Sequence, residues 1–486
     1  MVQGWHNIAE YRHALTAFLP EIFIMLGLLL NLSVAAGLIK VERALFTINV
    51  SLLLLCVVTL AFLVRRDPSN ALIFGFPLIC DTIGVSFKIL FCVVAGLTLF
   101  WHRAAVGAEI FSLIFITLFA QFFGVSSNNF VLTLGAIALF FVSQTVLISS
   151  MDVREGIRFL AFQLLSLVLF SVAGLIFFAE TKSFSFLEWR ALLSNGPLSD
   201  DTVRRIWIAQ LSYFMAIVIS LGVFPAQFIL TRLSKVLSIE VLTPIVFSSA
   251  LFGLSLLNRW VLWLSSFPQG VTGLADQPFL PVRQLLSWVL LGSFLILSVQ
   301  MNFERRLKRF LVLCVLATIS AGGLGLVFGV REGVPVEVFH IFFSVLTLLF
   351  LCALVMNSLE ESAGEIPMDI FAGLLWRKPW IGLAMVFCLL SLAGIPPFSG
   401  FYSHVALMTL AVDVQNYGVA LFLLLGWLLS ASAYLRWSLS LVQSTPAQAS
   451  FENKRYIFAA LPITLIGFFW DFIVNHLSNS LRSNLW

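Results

Sequence analysis

The chain has 486 residues, is 60% hydrophobic and only 11% charged, and carries a formal net charge of +4. Its apolar runs repeatedly reach the roughly 20 residues needed to cross a bilayer, which makes it an all-α polytopic membrane protein. That composition leaves no room for a soluble domain, and no basic tract suited to a nucleic-acid groove is present.

About fourteen transmembrane helices are predicted in chain order, near 17–38, 44–63, 82–101, 107–124, 129–150, 158–179, 204–223, 241–264, 284–301, 307–329, 335–357, 380–410, 416–443 and 456–476. Loops between them are short apart from 180–203 and 358–378. The opening segment carries charges of both signs and no small-residue cleavage site, unlike a removed signal peptide. Cys56, Cys80, Cys92, Cys314, Cys352 and Cys388 stand singly in apolar stretches, without CxxC or Cys/His spacing. They read as small core hydrophobes rather than ligands of a metal or an iron–sulfur cluster. Lys and Arg divide unequally between alternate loops. The richer set, including Lys40, Arg43, Arg154, Arg158, Lys235, Arg305, Arg306, Lys308 and Arg309, lies in the shorter loops, which puts it in the cytoplasm and both termini outside.

The twelfth span is interrupted at Ala393-Gly394-Ile395-Pro396-Pro397-Phe398-Ser399-Gly400. Proline cannot donate the backbone hydrogen bond of a continuous helix, so the helix breaks here. In a bilayer such a break survives only where the freed groups meet protein or water, and it therefore marks a buried polar cavity. A second interruption, Gly222-Val223-Phe224-Pro225, precedes a shorter, more polar piece over 226–239. Each break falls in the fourth span of a five-span block, spans 4–8 and 9–13, and matched breaks in two halves point to a transporter built from repeats. The expected organisation is three N-terminal helices over 1–106, a first repeat over 107–264, a second over 265–444 and a last helix over 445–486.

Ionisable groups inside apolar spans are costly and mark function or structure-bearing pairs. Lys88 follows Asp81 by seven residues, two helical turns, which places both on about the same face. Glu109 near a helix start suits the dipole there. Arg259 and Arg436 are expected to snorkel to the interface. Lys308 and Arg309 are expected on a solvated cytoplasmic rim, with Lys308 facing a half-channel if its span begins early. His340 and His404 differ in kind, because imidazole takes and returns a proton at modest cost. His404 lies one to two turns beyond the break.

The segments SLAGIPPFSGF at 391–401, LPEIFIMLGLLL at 19–30, FERRLKRFLVL at 303–313 and AYLRWSLSLV at 433–442 resemble the N subunit (subunit 2) of respiratory complex I. That subunit belongs to the antiporter-like group shared with Mrp cation/proton antiporters. The resemblance implies two inverted five-helix repeats with broken helices 7 and 12, and a row of lysines and a glutamate that carries protons along the bilayer midplane. On this sequence the helix 5 glutamate falls on Ala138, the helix 7 lysine on Ser220 and the helix 8 lysine on the apolar stretch from Leu251 to Leu254. The helix 12 lysine falls on His404, Asp81 matches a family aspartate, and Glu240 approximates the acidic residue before helix 8. Helix breaks map to Pro225, Gly394, Pro396 and Pro397.

These losses imply a first repeat that is structural and a second that conducts through His404 and His340, or else a path rerouted through Lys88, Lys235 and Glu240. By resemblance, the chain is a proton-translocating subunit of an NADH:quinone oxidoreductase in a bacterial plasma membrane or a mitochondrial inner membrane. NADH, FMN, iron–sulfur clusters and quinone are expected in partner subunits, since this chain has no Gly-rich nucleotide loop and no cluster ligands. Expected neighbours are an antiporter-like M-type subunit, small K-, J- and A-type subunits, and lipids. A stand-alone Mrp-type antiporter and a purely structural membrane subunit remain open readings.

Overall fold

The computed structural model describes residues 8–39, 42–65, 71–73, 78–101, 108–194, 199–265, 280–328, 330–359 and 365–443. Among these, twelve helices are long and apolar enough to cross a membrane. The proline-broken span consists of two shorter helices, Pro379–Leu392 and Ser399–Asp413. The predicted span 456–476 lies outside the described residues.

The helices sort into two compact units: residues up to 217 together with the stretch from Ser255, and residues 218–254 together with those from Pro281. The first unit opens with α1 (Ile8–Ala35) and α2 (Glu42–Arg65). A two-stranded antiparallel pairing follows, β1 (Ala71–Ile73) with β2 (Leu78–Cys80), the one sheet among the described residues. Next come α3 (Thr82–Trp101), α4 (Ala108–Ser126), α5 (Phe130–Ser149) and α6 (Val153–Thr181). Asn129 caps α5 by accepting from the Val131 N–H, and Asp152 caps α6 by accepting from Arg154 and Glu155, which satisfies N–H groups that the first helical turn leaves orphaned.

The 180–203 connection, expected as loop, holds the nine-residue α7 (Phe186–Ser194). Its Trp189 is 5% exposed and stacks on Phe177 with centroids 4.5 Å apart, so aromatic burial rather than length holds this helix in place.

α8 (Asp200–Leu221) ends at the first break, and the second unit takes up the chain from there through α9 (Phe228–Leu233) and the start of α10 (Ile239–Ser265). α11 (Leu280–Phe303), α12 (Leu307–Gly323), α13 (Gly325–Phe328) and α14 (Val330–Ser358) follow. A 3-10 turn at Met368–Phe371, α15 (Leu374–Arg377), α16 (Pro379–Leu392), α17 (Ser399–Asp413) and α18 (Tyr417–Val442) complete the described chain. The run predicted as one helix over 307–329 is interrupted at Leu324, where glycines flank the joint and lower the cost of ending a helix. The most apolar 18-residue window of the 22-residue α12–α13 span is buried throughout, so this span is the core of the second unit.

The two breaks share a backbone pattern. Gly222 and Gly394 stand three residues before Pro225 and Pro397 and adopt left-handed φ values of 66° and 70°, the region that favours glycine. Arg436 does not snorkel as expected: its guanidinium donates to the carbonyls of Met301, Asn302 and Glu304. It caps the C-terminal end of α11, where unpaired carbonyls and the negative dipole end attract a cation.

Candidate functional site

The strongest polar feature of the second unit is a stripe on α14. Glu337, His340, Ser344 and Thr347 recur at spacings of three, four and three, which is one face of a helix. They are 0, 1, 5 and 1% exposed. On a membrane helix a row of polar side chains is stable only against protein or a cavity, never against lipid. Sequence reading found His340 but missed Glu337. The 3-4-3 spacing in an otherwise apolar span was the available signal.

The stripe meets the second break. α16 and α17 are separated by residues 393–398, and the carbonyl freed at Ala393 accepts from the Trp427 indole N–H of α18 at 2.9 Å. A Cβ on Gly394 would sit 2.5 Å from that indole nitrogen, so the turn has room only for glycine. The break thus satisfies its backbone with protein, and the same indole stacks on the His404 ring at 5.0 Å. Across from it the His340 ring meets His404 edge to face, also at 5.0 Å. The structure therefore joins two histidines that lie 64 residues apart in sequence.

Hydrogen bonding orients both imidazoles. His404 Nδ1 lies 2.7 Å from the Gly400 carbonyl, which only accepts, so Nδ1 carries the hydrogen. Ser403 Oγ donates to the same carbonyl at 2.9 Å and lies 3.2 Å from His340 Nδ1, which makes His340 Nδ1 a donor as well. In each neutral ring Nε2 is then the nitrogen that takes up a proton. Ser391 and Ser399 pair across the break at 3.3 Å and extend the line of hydroxyls.

Lys308 is not on a solvated rim. It is 2% exposed, its stem lines a small cavity with Ile239, Thr243 and Cys352, and its Nζ donates to the Leu237 carbonyl at 3.1 Å. Leu237 belongs to the turn between α9 and α10, which also carries Lys235, exposed, and Glu240, half-buried in the first turn of α10. At its far end α12 brings Gly322 against His340 and Ile341. The fourteen steps from Lys308 to Gly322 span about 21 Å at 1.5 Å per residue, most of a bilayer's hydrocarbon depth. Just before α12, Glu304 is held below the usual carboxylate range: burial pushes its carboxyl up, but hydrogen bonds from the Arg306 side chain and backbone, with Arg309 nearby, outweigh it.

In the first unit Asp81 and Lys88 do not serve one another. Asp81 takes a two-pronged ion pair from Arg259, whose Nε also donates to the Val125 carbonyl at 2.5 Å. Arg259 is thus a buried clasp and not the snorkelling residue expected, because a full set of acceptors meets it inside the protein. Lys88 pairs instead with Glu21 of α1. Ala138 is half-buried on α5, and Ser220 is buried in the last turn of α8. Buried neutral amides stand in the spans of this half, among them Gln121, Gln144, Gln163 and Gln210, and Gln144 donates to Thr117 at 3.2 Å. The interior is polar but carries no charge at Ala138.

Residues 277–430, which hold both histidines, Glu337, Lys308 and the break, match the family model for NADH:quinone oxidoreductase/Mrp antiporter membrane segments. That third of the chain is similar to this antiporter-like family. Among its curated relatives, NADH-quinone oxidoreductase subunit N 1 of Rhizobium meliloti is 30% identical over 156 residues, about a third of each chain (32% and 32%). NADH-quinone oxidoreductase subunit N of Herminiimonas arsenicoxydans is 22% identical over 448 residues, 86% of this chain and 87% of the relative. The fold is shared with a chain of respiratory complex I from Thermus thermophilus (TM-score 0.75, 17% identity, covering 95% of this chain and 99% of that one). It is shared as well with a chain of the Mrp complex from Dietzia sp. (TM-score 0.80, 14% identity, 97% of each).

Proposed function

We propose that this chain is a membrane-arm subunit of a proton-pumping NADH:quinone oxidoreductase and that its second unit carries the proton. The observation that bears most weight is the buried Glu337–His340–Ser403–His404 cluster at the helix break. It brings two imidazoles of defined tautomer and a hydroxyl into contact, with a buried carboxyl one turn away on the same helix face, inside a membrane protein where ionisable groups are otherwise expensive. Lys308, buried at the arginine-rich end of α12, supplies a titratable group on the cytoplasmic side. His404 then exchanges protons with His340 through Nε2, with Ser403 and the Gly400 carbonyl holding the rings in register. Redox chemistry, with NADH, FMN, iron–sulfur clusters and quinone, falls to partner subunits, and the M-type and small K-, J- and A-type subunits are the expected neighbours. The membrane is a bacterial plasma membrane or a mitochondrial inner membrane, with both termini on the outer side.

The test is proton translocation by the assembled complex in vesicles. His404→Ala is expected to leave NADH oxidation coupled to quinone reduction running while fewer protons move per electron. Unchanged stoichiometry in His404→Ala and His340→Ala alike would refute a conducting role for this cluster and leave a scaffold.

A further inference from the structure

The first unit contains an ion pair that the cluster above does not use. Glu21 of α1 and Lys88 of α3 meet side chain to side chain, each 2% exposed, within membrane-spanning helices. Its neighbour, the Asp81–Arg259 pair, differs in two respects. Arg259 keeps its proton under all protein conditions, and both Asp81 oxygens are engaged, with Gly84 N–H as a further donor. Glu21 engages one oxygen with Lys88, while its Oε2 is buried with no hydrogen-bond partner among the described residues. Both members of this pair are titratable.

A buried carboxylate with an unmatched oxygen is costly, and the cost falls if that oxygen acquires a proton. The surroundings keep the choice local. The Phe122 ring lies 5.5 Å from Lys88 Nζ, and the thiol of Cys56, which donates to the Pro20 carbonyl at 3.4 Å, flanks Glu21. The other titratable or charged groups near the pair are Cys80, Cys92, Asp81 and Arg259. Burial pushes the Cys80 thiol up to about 11, which leaves it neutral at physiological pH. Asp81 and Arg259 offset each other.

We propose that Glu21 and Lys88 form a proton-exchange site of the first unit, an inference that rests on the chain serving a proton-translocating complex. The step is internal and balanced: an N–H bond of Lys88 breaks, its electron pair stays on Nζ, and the proton forms an O–H bond on Glu21. An ion pair becomes a neutral amine and a carboxylic acid, with no change in net charge. A proton arriving from one side recharges the amine, and the acid releases its own to the other. This assigns the half that lacks a carboxylate at Ala138 and a lysine at Ser220 a different acid–base pair, on α1 and α3.

Lys88→Arg tests this directly, since arginine preserves the ion pair but does not give up its proton. In the assembled complex in vesicles, Lys88→Arg is expected to retain assembly and electron transfer and to lose part of the protons moved per electron, while Glu21→Asp retains them. The double variant Glu21→Gln/Lys88→Met removes both charges together, which avoids leaving one buried and unpaired. It is expected to assemble with the same loss. Parental stoichiometry in either Lys88→Arg or the double variant, or failure of both to assemble, would assign the pair to structure and overturn the proposal. His404→Ala assayed alongside separates the two ideas: normal translocation there, with a loss in Lys88→Arg, would refute the histidine cluster and leave this site standing. A parental complex that moves no protons would refute both.

Discussion

His340 and His404 meet edge to face with ring centroids 5.0 Å apart, and Ser403, next in sequence to one of them, bonds the other. A proton on one ring therefore raises the cost of a proton on its neighbour. Singly substituted variants, His340→Gln and His404→Gln, are expected to lower proton translocation by amounts that do not add in the double variant, because each removes the same unit. Proton stoichiometry measured across the four-member cycle checks this, and additive losses would show that the rings act independently.

Glu337 lies one turn before His340 on the same face of α14 and is fully buried. Glu337→Gln keeps the shape and removes the ionisable carboxyl. It is expected to reduce proton movement with little effect on assembly, whereas Glu337→Leu, which also removes hydrogen-bonding capacity in a polar stripe, is expected to reduce the amount of assembled complex. Equal behaviour of the two variants would assign Glu337 to packing.

The geometry of the second break hangs on Gly394 and Trp427. Gly394→Ala forces a side chain into a left-handed φ of 70° and against the indole, 2.5 Å from its nitrogen. Strain of about 1–3 kcal/mol is the usual cost of a non-glycine residue in such a conformation, and the clash adds to it. The variant is expected to lower the thermal stability of the solubilised complex. Trp427→Phe keeps the ring against His404 but leaves the Ala393 carbonyl without its donor, and a smaller destabilisation is expected, read in the same melting experiment.

How far the chain was legible follows residue by residue. The bilayer demands long apolar helices, so twelve long spans and the broken pair of shorter helices emerge from hydropathy and proline alone, with the break falling where Pro396 and Pro397 forbid a helix. His404 was legible because it follows that break. Its partner in the pair was legible only as an isolated polar residue, since nothing in the sequence brings 340 to 404. Arg259, Arg436 and Lys308 were misplaced for one physical reason. Hydropathy shows that a charge is expensive, but it does not show whether a carboxylate or a row of carbonyls waits inside to meet it. Glu21 was invisible for the converse reason, because near a predicted helix start a carboxylate looks like a dipole-stabilised end rather than half of a buried pair.

The connection between α11 and α12 supplies a pH-dependent clamp. Glu304 accepts from the backbone N–H groups of Arg305 and Arg306 at 3.2 and 3.1 Å and from the Arg306 side chain at 2.9 Å, while Arg309 lies 3.2 Å from its other oxygen. Arg306 also reaches Glu365 at 3.2 Å, and the backbone bonds Leu307 to Ile366 and Met368 to Arg305 tie this turn to the segment before the 3-10 helix. Glu304 titrates below the ordinary carboxylate value of about 4.3. A depressed folded-state value means that the clamp's stabilisation is complete above that ordinary value and is lost as pH falls through the lowered one. At neutral pH the parent is therefore expected to melt higher than Glu304→Gln, and the two melting temperatures are expected to converge as the medium is acidified below the carboxylate range. A difference that persists unchanged into strong acid would show that Glu304 acts through shape and not through charge.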